Sequence, residues 1–158
     1  MNIRDAGPGD SPLLSALYVR SVQAIGAAAY SAEQVRVWSA LAPSADRLDA
    51  LLADGRIRLV AADDTGRPLA FADLEADGHI HFLYAAPEAA GTGMVAALYA
   101  ELERRARAAG MTRLHAEASE AARRFFLRQD FAELARRDFV VDGVPIHNYA
   151  VEKRLTGA

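Results

Sequence analysis

HIHFLYAAPEAAGTGMVAALYAELERRARAA, residues 79–109, decides how the rest of the chain is read. His79 to Ala85 have strand character and stop at Pro87. A turn of small residues follows, Ala89-Ala90-Gly91-Thr92-Gly93, and a helix begins near Met94. The apolar face of that helix is Val95, Leu98, Leu102, Ala106 and Ala109. Glu101–Arg105 and Glu103–Arg107 are i,i+4 pairs on its wet side. Strand, glycine turn and helix make an anion-binding unit, because the first turn of a helix has N–H groups without intrahelical partners. Glycine at 91 and 93 lets backbone approach a phosphate with no Cβ in the way. The stretch lacks the lysine of a Walker loop, and Ala96 stands where a dinucleotide fingerprint has its third glycine. Taken alone, the turn is equally consistent with a plain helix start.

The flanking chain reads as alternating elements. Residues 2–5 suit a first strand. Ser11 before Pro12 reads as N-cap and N1 of a helix that runs to about Gly26. Ser31 and Gln34 have capping-box spacing, with Tyr30 and Val35 placed for a hydrophobic staple. Ser44 caps a short helix closed by Gly55. Strands are expected over 56–62, 69–76 and 79–85 as an antiparallel meander. Gly110 ends the long helix. A strand over 112–118 follows, parallel to its predecessor because a helix crosses between them. Ser119 caps one more helix, and Asp142-Gly143 is a hairpin turn between the last two strands.

The run LYAAPEAAGTGMVAALYAELERRARAAGMTRLHAEAS resembles the core of the GNAT superfamily of acyl-CoA-dependent N-acyltransferases. The matching positions are Leu83-Tyr84-Ala85-Ala86-Pro87, then Ala90-Gly91-Thr92-Gly93-Met94-Val95. The likeness extends through ARRFFLRQDF (122–131) and HNYAVEKRL (147–155), so it covers nearly the whole chain. Ala90 departs from the family's Gln or Arg, and Val95 from its Gly or Ala. The resemblance implies one domain over residues 1–158 of α+β class. Its mixed, mostly antiparallel sheet would have about seven strands and a central, splayed parallel pair, with helices on both faces. It implies acetyl-CoA as co-substrate, held by Leu83, Tyr84, Ala85, the turn from Ala90 to Val95, Ser119 and Phe126. It also implies transfer of an acetyl group to a primary amine by direct attack in a ternary complex. The competing expectation is a non-catalytic acyl-CoA sensor, since family modules that lose chemistry keep this loop.

Physical chemistry says what that reaction needs. The amine must shed a proton, so a base is required. The thioester oxygen needs an N–H donor where charge develops, which the resemblance puts at Leu83 to Ala85. Phe126 stands where the family often has a tyrosine acid, which leaves Tyr84 and Tyr149 as candidates. For the base, His81 lies on the central strand and Glu117 on its neighbour, with His147 on the last strand as a third. Tyr30 and Trp38 are expected to roof the acceptor pocket, beside His147.

Composition narrows the classes. The chain has 158 residues, a net charge of −3 and no cysteine. That balance gives no reason to expect a nucleic-acid or membrane partner. The missing cysteines remove disulfides, thiolate metal sites and a thiol nucleophile. Of the four histidines only His79 and His81 have ligand-like spacing, on one strand face, and such a pair is more often structural than metallic, so no metal is expected. No apolar run opens the chain or approaches the roughly 20 residues of a membrane span. A cytoplasmic protein acting on a small-molecule or peptide amine is the expectation, with a homodimer left open.

Overall fold

The computed structural model describes residues 1–155. In chain order the elements are β1 (Asn2–Asp5), α1 (Ser11–Ile25), α2 (Ala32–Ser39), α3 (Ala45–Leu51), β2 (Ile57–Ala62), β3 (Pro68–Leu74), β4 (Ile80–Ala85), α4 (Met94–Ala108), β5 (Arg113–Ala118), α5 (Glu120–Arg128), β6 (Ala132–Val141) and β7 (Val144–Arg154). The order is the expected one. The α2 start is a full capping box between Ser31 and Gln34. Asp142 and Gly143 both take positive φ, 50° and 79°, as a two-residue hairpin turn requires.

The seven expected strands are present and mostly antiparallel, and they divide between two sheets. The strands form two antiparallel sheets, β1-β2-β3-β4 and β5-β7-β6. Between β4 and β5 there is one parallel bridge, His79 to His115, where the His115 N–H donates to the Gly78 carbonyl at 3.0 Å. The two chains are so close there that a Cβ on Gly78 would lie 1.9 Å from the Arg113 carbonyl oxygen. No ladder continues beyond the bridge among the described residues. Alternation of apolar residues reveals a strand but not whether its neighbour stays within bonding distance.

Both faces of the four-stranded sheet are covered. Leu59, Ala61, Ala72 and Leu74 pack against Leu98 and Leu102 of α4. Val60, Phe71 and Phe82 pack against Leu14, Tyr18 and Val22 of α1. Two covered faces explain why β2 and β3 read as nearly continuous apolar runs. Full burial of a side chain such as Leu59 or Phe71 contributes about 1.5–3 kcal/mol.

Two local readings change. Ser11 does not cap α1: its hydroxyl donates to Asp49 of α3. Asp10 holds the N-cap position without a side-chain cap, because Arg4 engages its carboxylate in two bonds of 2.7 and 3.0 Å. In β4, Phe82 pairs with Asp73 and Ile80 with Leu74, which leaves His81 as the extra residue of a bulge. Ile80 and Phe82 therefore enter opposite cores, although strict alternation would put them on one face.

Candidate active site

The turn before α4 is built from φ-positive glycines, Gly91 at 73° and Gly93 at 80°. A Cβ on either would meet no atom within 4 Å, so backbone conformation and open space, not packing, call for glycine. The first intrahelical bond of α4 runs from the Ala97 N–H to the Gly93 carbonyl. The Met94 N–H is met by the Thr92 hydroxyl at 3.2 Å, which itself donates to Ala89. The amides of Val95 and Ala96 precede the helical ladder, at the mouth of a cavity of about 350 Å³. Leu83, Ala85, Ala90, Gly91, Gly93 and Val95 line it. The Met94 side chain is buried in the core and the Thr92 hydroxyl turns into the loop, so from these two residues only backbone faces the turn.

A second cavity of about 320 Å³ lies between β4 and β5. His81, Glu117, Arg137, Ile146, His147 and Asn148 line it, and Phe126 closes its base at 1% exposure. Tyr30, Trp38, Leu83, Tyr84, Ser119 and Ala122 border both cavities. The two spaces therefore meet where β4 ends and α5 begins. Ser119 accepts from the Ala122 N–H at 3.3 Å, the expected cap.

The titratable groups differ in what their atoms are free to do. His81 Nδ1 lies 2.8 Å from Arg56 Nη1. A guanidinium only donates, so Nδ1 accepts and Nε2 carries the proton. Burial first, then the Arg56 charge, pushes the His81 pKa down. Arg56 is held by Asp73 at 3.0 Å, and Asp73 is fully buried and doubly bonded by Arg58. Glu117 Oε1 accepts from His79 Nε2 at 2.8 Å, and Glu75 takes the other ring nitrogen at 2.8 Å. Those carboxylates, Glu117 foremost, raise His79 to about 9, and the same bond lowers Glu117. Tyr84 is raised well above an ordinary phenol, by desolvation and then by Tyr18, whose ring centroid is 4.2 Å away.

His147 Nε2 lies 3.2 Å from Glu120 Oε1. The Tyr30 hydroxyl donates to the His147 carbonyl at 3.0 Å and accepts from the Glu120 N–H at 3.1 Å. Trp38 packs on Tyr30 at 5.3 Å between ring centroids. Tyr149 borders neither cavity. It lies beneath the Arg123 guanidinium at 4.8 Å, and a bond to Glu120 raises its pKa. Sequence reasoning missed Arg56, Asp73, Arg137 and Asn148. Nothing local marks them, because their partners come from other strands.

A family profile described as an acetyltransferase (GNAT) domain matches residues 26–153. The chain belongs to the GNAT acetyltransferases. No functionally curated protein matches it. Among solved structures it is similar to a GCN5-related N-acetyltransferase from Rhodopseudomonas palustris, further described as a class-II aminotransferase. The two share 30% identity over 98% of this chain and 95% of that one, with a TM-score of 0.88. A ribosomal-protein-alanine N-acetyltransferase from Brucella melitensis is 25% identical over 98% and 100%, at 0.75. A phosphinothricin acetyltransferase from Sinorhizobium meliloti in complex with acetyl-CoA shares the fold at 22% identity over 98% and 88%, at 0.75.

Proposed function

We propose that the protein transfers an acetyl group from acetyl-CoA to a primary amine by direct attack within a ternary complex. One observation carries the reading. A cavity edged by φ-positive glycines and free helix-start amides joins, at Tyr84, Leu83 and Ser119, a second cavity that carries His81, Glu117, His147 and Asn148. In this reading the first space takes the diphosphate and pantetheine arm, and the second takes the amine.

Alternation along an antiparallel edge supplies the donor for the thioester oxygen. Ala86 donates to Leu69 of β3, so Tyr84 shares that direction and the N–H groups of Leu83 and Ala85 point away from β3. The amine nitrogen attacks the thioester carbon and the C–S bond breaks. The amine proton passes to a base, and the sulfur leaves as thiolate. Tyr84, held protonated, donates a hydrogen bond to that sulfur.

For the base we favour His147. Its Nε2 is engaged by the Glu120 carboxylate, which orients the ring and leaves Nδ1 as the accepting nitrogen. His81 has spent its lone pair on Arg56. Glu117 is a weakened base, since it already accepts from His79.

Thiol release from acetyl-CoA against a panel of amines tests the proposal. Turnover with at least one amine supports it. Tight CoA binding without turnover across the panel would make the protein an acyl-CoA sensor instead.

A further inference from the structure

The bridge between the two sheets gathers groups that acetyl transfer does not use. His79 stands just before β4, and His115 and Glu117 lie two apart on β5, on one face of the strand. Their ligand atoms all fall within 4.8 Å of one another. His79 Nε2 is 2.8 Å from Glu117 Oε1. The two imidazoles stack, with centroids 5.0 Å apart and planes 25° from parallel. A second rank of carboxylates stands behind them. Glu75 is 2.8 Å from His79 Nδ1, and Asp77 is 3.7 Å from His115 Nε2. Three carboxylates thus surround two imidazoles, with Arg56 behind Glu75 at 3.9 Å.

Two imidazoles and a carboxylate are donors that zinc accepts, with a fourth position left for water. Calcium and magnesium prefer oxygen donors throughout. Metal-bound histidines usually give their other ring nitrogen to a carboxylate, and Glu75 already occupies that place on His79. We propose that His79, His115 and Glu117 form a binding site for a divalent transition-metal ion, with zinc the best match and Glu75 orienting His79.

The fit needs only small movements. Zinc bonds of about 2.0–2.1 Å in a tetrahedron put neighbouring ligand atoms about 3.3 Å apart. His79 Nε2 and Glu117 Oε1 would separate slightly, and His115 would close in. The ion would replace the hydrogen bond between His79 and Glu117. It would pin β5 to the segment leading into β4, where the sheets touch at a single bridge. Glu117 also borders the cavity between β4 and β5, so the ion would lie at the edge of that space. The proposal does not depend on the acetyl-transfer reading.

Untagged, chelator-treated full-length protein titrated with Co²⁺ and with Zn²⁺ tests it, by calorimetry and visible absorption. The expected result is one ion per chain at micromolar concentration, the d–d bands of a low-coordinate cobalt site, and a raised thermal midpoint. His115→Asn and Glu117→Gln should each weaken binding at least tenfold, and Glu75→Gln by about 10–100-fold. Absence of saturable binding, or affinity unchanged in the ligand variants, would overturn the site and leave an ion-pair network. If His115→Asn does not fold by circular dichroism, Glu117→Gln, on a half-exposed side chain, decides alone.

Discussion

The Tyr30 hydroxyl, just ahead of α2, joins two other elements: it donates to the His147 carbonyl on β7 and accepts from the Glu120 N–H at the start of α5. Tyr30 is 7% exposed, so water cannot easily take over either bond. Tyr30→Phe should lower unfolding stability by about 1–3 kcal/mol, the cost of leaving buried polar groups unmet. The check is a shifted denaturant midpoint with an unchanged slope. Because His147 loses a backbone anchor, turnover should fall more than CoA affinity does.

Gly93 offers a controlled test of the phosphate turn. Gly93→Ala should destabilise by about 1–2 kcal/mol, because an L residue is strained at that φ. Gly55 has the same φ of 80° and equally open surroundings but borders neither cavity. Gly55→Ala should carry the same backbone cost and leave CoA affinity unchanged. Gly93→Val should abolish CoA binding in a folded protein. Unchanged calorimetric affinity in Gly93→Val would remove the turn from the cofactor site.

His147→Gln should lower kcat by about 10²–10⁴-fold, the usual loss of a general base. Acetyl-CoA affinity should stay near the parent value. His81→Gln should cost far less, because His81 Nδ1 is occupied by Arg56. A reversed ranking of the two variants would move the base to β4.

The Arg4–Asp10 pair predicts part of the acid stability. The Arg4 hydrogen bond holds the Asp10 pKa below its ordinary value. A carboxyl depressed on folding adds stability above its unfolded pKa of about 3.9 and loses it as pH falls through the folded value. Arg4→Met should therefore be less stable at pH 6 and show a shallower loss of stability below about pH 4. Thermal midpoints across that range measure it.

Wherever a feature rests on neighbours in the chain, it was readable from the residues alone. Ser31 and Gln34 satisfy each other within one helical turn, and Asp142-Gly143 closes its own hairpin. The glycines at 91 and 93 mark a turn by conformation. Features set by distant partners were not readable. Ser11 looks like a cap until Asp49 arrives from α3. His81 looks like a strand residue until pairing with β3 shows it to be the bulge. Arg56, Arg58 and Asp73 look like ordinary strand charges, yet they form a buried network that sets the state of His81. The Glu120–His147 pairing needs α5 laid against β7, which periodicity does not contain.

Beyond the His79–His115 bridge, β4 runs beside a cleft with no partner strand on that side among the described residues. An edge of this kind offers peptide groups, which are the same for every residue type but proline. A ligand that bonds to them reads the course of the chain and not its spelling. Substitutions along this edge can therefore accumulate while the main chain keeps its path, and the departure at Ala90 is of the same sort. Relatives holding one ligand in this way can drift far apart in sequence, whereas the side-chain-lined cavity next door must change its letters to change its guest.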